Sequence, residues 1–272
     1  FWASPEALEA AGVVAMPTTW DEFNAAADKL LEAGITPLAH GGQPWQDATL
    51  FEDVVLGIGG PDFYRSALVD LDQDALKSDT MVAAFDQLRK LRGYVDPNFS
   101  GRDWNLATAM VMRGEAGFQI MGDWAKGEFL AAGQVPGEDF LCAPTPGTGF
   151  VLNSDSFTFF NVAGEENLAG QQLLASLIMS PDFQETFNLA KGSIPARTDV
   201  ALDAFDVCAQ RSHADLVAAI EADALVPSMA HEMAVPRSVR GEFLDLVTEF
   251  FNSDMSSRDA ADRLADAVLR AQ

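Results

Sequence analysis

The side chains able to do chemistry are scattered. His40, His213 and His231 stand far apart, and none falls in a paired metal spacing such as HExxH. Gly57-Ile58-Gly59-Gly60 is glycine-rich but lacks the Lys-Ser/Thr of a phosphate loop, so it reads as a turn. There is no Gly-x-Ser-x-Gly elbow. With 41 Asp+Glu, a carboxylate pair for glycoside hydrolysis could be assembled in many ways, and no pair is singled out. Cys142 and Cys208 are widely separated, with no CxxC, which excludes a zinc ribbon. They read either as two buried thiols or as one disulfide closing a long loop, worth about 4 kcal/mol on the chain-entropy model. The whole set favours binding over catalysis, and no cofactor or metal is expected.

The elements that would carry these groups are marked by caps and periodicity. Ser4-Pro5 opens a first helix, and Thr19-Trp20-Asp21-Glu22 is a capping box for a second that stops at Gly34. Ile35–Ala39 reads as a strand. Ser78 or Asp79 caps a helix with Met81, Phe85, Leu88 and Leu91 at helical spacing. Further helices are predicted over 106–112 and 124–132, the latter capped by Asp123, with a strand at 117–121 between them. Phe140–Ala143 and Phe157–Val162 are strand-like and flank a Pro/Gly-rich turn. Helices follow at about 168–179, 181–190, 242–251 and 257–271. Strands alternating with helices indicate an α/β fold.

The charge narrows the partners. Seventeen Lys+Arg against 41 Asp+Glu leave a net charge of −24, which repels nucleic acid and anionic membranes. No apolar run is long enough to span a bilayer, so no membrane insertion is expected. The chain is 48% hydrophobic, enough for one large core or two small ones. The N-terminus, Phe1-Trp2-Ala3-Ser4, has no signal-peptide pattern and reads as processed or as the edge of a fragment; the helix ending at Ala271 reads as a domain end.

Several longer motifs carry a resemblance. They are Thr18-Thr19-Trp20-Asp21-Glu22-Phe23, Thr36-Pro37-Leu38-Ala39-His40-Gly41-Gly42-Gln43-Pro44-Trp45-Gln46, Gly101-Arg102-Asp103-Trp104-Asn105 and Met121-Gly122-Asp123-Trp124, followed by Lys191-Gly192-Ser193-Ile194-Pro195 and Pro227-Ser228-Met229-Ala230-His231. In order and over essentially the whole chain, they resemble the extracellular solute-binding proteins of sugar ABC transporters, the maltose-binding-like family, in its glucose/mannose branch. The resemblance implies an α/β, two-lobe fold of the periplasmic-binding-protein type (class II), with mostly the C-terminal lobe present. Roughly 120 residues, the size of one domain, would precede Phe1. Residues 1–155 would form the first part of the C-terminal lobe. Residues 156–195 would return to the N-terminal lobe as a strand and two helices, and 196–272 would complete the C-terminal lobe.

The implied function is delivery of a monosaccharide, glucose or else mannose, to membrane permease subunits by hinge closure. The rivals are an oligosaccharide-binding protein of the same family, a glycoside-processing enzyme and a bare docking module. A periplasmic location and a monomer are implied, and that location favours a Cys142–Cys208 disulfide. A pyranose offers apolar C–H faces and a hydroxyl rim, so it suits a stacking ring edged by charged or amide groups. The resemblance assigns Trp124 as the stacking ring, with Trp104 as a second aromatic on the cleft rim or in the core. Asp155 would accept from sugar hydroxyls and Lys191 would donate to them. His231 would contact the sugar and tune selectivity. Trp45 and Gln46, in a polar loop over 40–47, would line the cleft. Asp123 would join them or serve only as a helix cap.

Overall fold

The computed structural model describes residues 1–272. In chain order it contains β1 (Trp2–Ala3), α1 (Pro5–Ala10), α2 (Trp20–Glu32), β2 (Thr36–Leu38), α3 (Pro44–Tyr64), α4 (Gln73–Leu76) and α5 (Asp79–Gly93). Then come α6 (Trp104–Met112), β3 (Ala116–Gln119), α7 (Ala125–Ala131), β4 (Leu141–Cys142) and β5 (Phe150–Leu152). The chain ends with α8 (Glu165–Ile178), α9 (Pro181–Lys191), α10 (Val207–Glu221), β6 (Leu225–Pro227), α11 (Arg237–Phe251) and α12 (Ser257–Ala271).

Helices begin where side chains can satisfy free amides. Thr19 Oγ1 accepts from the Glu22 amide, and the Glu22 carboxylate accepts from the Thr18 and Thr19 amides, closing the expected box. Ser4, Ser78, Ser180 and Ser256 cap α1, α5, α9 and α12 in the simpler way.

The main sheet runs β2-β3-β1-β4, with β2 parallel to β3 and β1 antiparallel to both its neighbours. Side chains alternate across a strand, so Phe1 and Ala3 enter a large core under α2, α3, α5, α11 and α12, while Trp2 enters a smaller one under α6 and α7. In β3, Phe118 packs in the large core and Ala116 in the small one. In the large core the Phe51 and Phe85 ring centroids lie 4.7 Å apart, and those of Phe85 and Phe250 lie 4.8 Å apart. In the small core Phe129 stacks on Phe140 at 4.3 Å. A Cys142–Cys208 disulfide (Cα–Cα 5.9 Å) ties β4 to α10. A separate parallel pair joins β5 to β6, with Leu152 opposite Pro227.

Three expectations are corrected. Of the polar loop over 40–47, residues 40–43 are a loop, but residues 44–47 and the glycine-rich 57–60 belong to one long helix, α3, broken only at Gly60 (φ 76°, ψ 176°) before Pro61. This helix is buried on several sides, from Gln46 through Leu56, so it shows no single apolar stripe to read. Phe157–Val162 forms no strand, because no strand of this chain lies beside it to complete a hydrogen-bonded ladder. Asp123 does not cap α7: Trp124 occupies that position, without a side-chain cap bond, and the Asp123 carboxylate is engaged elsewhere.

From Phe157 onward many apolar side chains face outward. Phe160 is 81% exposed and Leu173 72%. Helix α8 buries only Ile178.

Candidate functional site

A cleft of about 830 Å3 opens between the β3–α7 turn, the segment after β5, the end of α9 and the turn after β6. The first of these segments delivers two predicted residues and each of the others one. Asp123, Trp124, Asp155, Lys191 and His231 all line the cleft.

Trp124 stands just after Gly122, and its ring lies over that glycine; a Cβ at Gly122 would meet the ring at 2.1 Å. The absent side chain is therefore what lets the ring lie against the backbone. The imidazole of His231 meets the Trp124 ring edge-on, with centroids 5.3 Å apart. Trp45, in the first turn of α3, stands behind both, 6.5 Å from Trp124 and 6.0 Å from His231. Its indole N–H donates to Gln43 Oε1 at 2.9 Å.

Lys191 Nζ donates to Asp155 Oδ2 at 2.5 Å across the mouth of the cleft. Asp155 is largely exposed, so its oxygens remain open to further donors. Asp123 is turned towards the loop after α9, where its carboxylate accepts from Ser193 Oγ at 2.8 Å and from the Ile194 amide at 3.2 Å. Burial pushes its pKa up, and these two donors partly offset that. Lys126 is buried on the cleft wall and pairs with Asp206 Oδ2 at 2.8 Å. The other oxygen of Asp206 caps α10.

Three predicted residues do not line the cleft: Trp45, which stands behind Trp124 and His231, Trp104 and Gln46. Trp104 opens α6 and packs on the small core. Gln46 is buried, and its amide nitrogen donates to Gln43 Oε1 and to the Arg102 carbonyl, pinning the loop before α3. It lies on a helix whose turns face protein on several sides, so it has no open surface to offer a ligand.

Glu52 is the residue that sequence reasoning missed. It is 1% exposed and sits beneath His231. Its Oε2 accepts from the amides of Met229 (2.7 Å) and Ala230 (3.0 Å) and from the Tyr64 hydroxyl (3.1 Å). Its Oε1 accepts from Ser228 Oγ at 2.7 Å. Ser228 Oγ in turn lies 2.9 Å from His231 Nδ1. The one signal for Glu52 was an acidic pair, Glu52-Asp53, inside the apolar run Leu50–Leu56. Burial, and then the Glu52 charge, push the neighbouring Asp53 up to about 7, while a Thr145 hydroxyl bond acts in the opposite direction.

Ser, His and Glu within hydrogen-bonding reach suggest a hydrolytic triad, but the order is wrong for one. Ser228 is fully buried and bonds the carboxylate directly, whereas a nucleophilic serine must be exposed and bond the imidazole's far nitrogen. The site offers an aromatic face, one imidazole nitrogen and an ammonium–carboxylate pair. That set suits holding a polar, partly apolar small molecule.

Comparison with known proteins identifies the family. The family model described as bacterial extracellular solute-binding protein matches residues 1–173. A probable sugar-binding periplasmic protein of Brucella suis biovar 1 (strain 1330) is 54% identical over 100% of this chain and 64% of its own length. A protein of the same description from Rhizobium meliloti (strain 1021) is 52% identical over 100% of this chain and 65% of its own. The chain therefore spans a little under two thirds of the length of these relatives. The solved structure of a chitin oligosaccharide binding protein superposes with a TM-score of 0.74 at 19% identity, covering 99% of this chain and 68% of that one. At that identity the likeness is one of fold.

Proposed function

The chain belongs to the bacterial extracellular solute-binding protein family, and from that premise we propose that it is the larger part of a periplasmic sugar-binding protein serving an ABC importer. Its ligand is a monosaccharide, glucose first and mannose second. Residues 1–155 and 196–272 build one lobe, and 156–195 belong with the other, which the remaining part of the protein completes. Sugar bridging the lobes favours the closed form, and the membrane permease subunits engage that form. The ligand shifts the equilibrium only by its preference for closed over open.

The observation that carries this reading is the meeting of Trp124, His231 and the Lys191–Asp155 pair on one cleft. A pyranose face stacks on the indole ring, and its hydroxyl rim reaches a charged donor and a charged acceptor. Lys191 and Asp155 hold each other while the cleft is empty, so neither charge stands bare until hydroxyls replace part of that bond. Lys126 and Asp206 stiffen the wall. Asp123 positions the loop carrying Ser193, and through it the end of α9.

The test is calorimetry of the complete protein against glucose, mannose, galactose and a set of disaccharides. Saturable binding of glucose, with a change in tryptophan fluorescence, supports the reading; no response to any sugar ends it. An oligosaccharide ligand is the second reading. It is favoured by the cleft's 830 Å3, which lies in the upper part of the usual small-molecule range, and by the ligand class in the printed name of the chitin oligosaccharide binding protein. Tighter binding of a disaccharide than of either monosaccharide would establish it.

A further inference from the structure

The hydrogen bonds beneath His231 determine which of its nitrogens carries the proton. A carboxylate only accepts, so the Ser228 hydroxyl, 2.7 Å from Glu52 Oε1, must spend its single proton there. The amides of Met229 and Ala230 hold the carboxylate in place, and the Tyr64 hydroxyl shares its one proton between Glu52 Oε2 at 3.1 Å and the Pro227 carbonyl at 2.9 Å. Ser228 Oγ is then left with lone pairs alone. One accepts the His231 backbone amide at 3.1 Å, and the other faces His231 Nδ1 at 2.9 Å. Two acceptors cannot bond each other, so Nδ1 carries the hydrogen.

Nε2 is therefore a bare lone pair in the neutral ring. It is buried and has no hydrogen-bond partner in the protein. An orphaned buried acceptor is uncommon and calls for a donor from outside the chain. The rings of Trp45 and Trp124 stand edge-on to the imidazole. Of the two, only Trp124 lines the cleft, and His231 lines it beside that ring.

The geometry points to Glu52 as a positioning residue that acts through Ser228 to fix His231 as the Nδ1–H tautomer, which makes Nε2 an obligate acceptor for one hydroxyl of the bound sugar. This rests on the sugar-binding reading above. It adds a rule that stacking and charge do not supply: the ligand group meeting His231 must be a donor. A hydroxyl passes; a fluorine or a methyl ether at the same carbon fails, because each can only accept.

The experiment has two arms, both on the complete protein at about pH 8, above the ordinary imidazole range. In the first, long-range 1H–15N correlation spectra without sugar should show His231 with Nδ1 protonated and Nε2 bare. Ser228→Ala should move the ring towards the Nε2–H form, and Ser228→Thr, which keeps the hydroxyl, should preserve the wild-type pattern. In the second, single deoxy and deoxyfluoro analogues of whichever monosaccharide binds should include one carbon at which both replacements weaken binding about tenfold and to the same extent. In Ser228→Ala that penalty should shrink to less than about threefold. An Nε2–H ring in the wild type, or a ring unaffected by Ser228→Ala, overturns the inference. So does a fluorine that restores affinity at every position. An Nδ1–H ring in a protein that binds no sugar would leave the relay standing and remove the sugar reading instead.

Discussion

In the helical body formed by α3, α5, α11 and α12, Phe51, Phe85 and Phe250 are fully buried, whereas between Phe157 and Phe187 most large apolar side chains stand outward, Phe160 at 81% exposure and Leu173 at 72%. The two regions do not differ in hydrophobic residue types. They differ in whether this chain supplies a matching surface. Helices α11 and α12 lay their apolar faces on α3 and α5, and each ring finds another ring within 5 Å. Helix α8 has no comparable partner and buries one residue. Burial follows the availability of a complementary face rather than composition, and an exposed apolar patch of this kind marks an interaction surface. In the proposed architecture that surface meets the rest of the second lobe.

The sharpest challenge to this contrast is one substitution made in both places. Phe250→Ala should cost the complete protein about 3–5 kcal/mol in urea denaturation, because the ring leaves a cavity between Phe85 and the overlying Arg89 guanidinium. A loss below about 1 kcal/mol would mean that the body is less tightly packed than its burial indicates. Next in size is the covalent link between β4 and α10. Replacing Cys142 and Cys208 by Ser should cost about 2–4 kcal/mol in the same assay.

Lys191→Ala bears on the boundary between the two regions. Calorimetry should show at least a tenfold weaker affinity for sugar, about 1.4 kcal/mol; unchanged affinity would remove Lys191 from the site. Asp53 gives a pH test of the buried side. Its folded-state pKa of about 7 lies above the ordinary aspartate value of 3.8. Between those values the folded chain keeps a proton that the unfolded chain has released, so this carboxyl's contribution to stability falls as pH rises. Asp53→Asn should therefore gain stability over the wild type as pH rises from about 4 to 8, and nothing below about pH 4. A gain of equal size at both pH values would refute the shift. The smallest effect belongs to Phe160→Ala, within about 0.5 kcal/mol when this chain is studied alone. In the complete protein the cost should exceed about 1 kcal/mol if the second lobe covers the ring.

Much of this contrast was hidden in the sequence for a definite reason. Caps are local, so Thr19 with Glu22, Ser78 and Ser256 announced their helices. The amphipathic stripe of α12 fixed its limits. Helix α3 escaped notice because burial on several sides erases the stripe and its glycines imitate a turn. Phe157–Val162 alternates like a strand, but pairing depends on a neighbour that no local pattern reveals. The site divides in the same way. Trp124, Lys191, Asp155 and His231 were found through motifs, and the structure brings them to one cleft. Glu52 was invisible because its meaning lies 176 residues away, at Ser228. Gln46 and Trp104 share motifs with site residues, yet their side chains are engaged in packing the body.

The disulfide has a topological consequence. Cys142 and Cys208, 66 positions apart, make everything between them a covalently closed ring. That ring contains the exposed stretch after β5, which is the kind of segment proteases enter first. A single cut there opens the ring without releasing either piece. The nicked chain would run as one band on a non-reducing gel and as two once reduced, and α10 would stay beside β4 throughout.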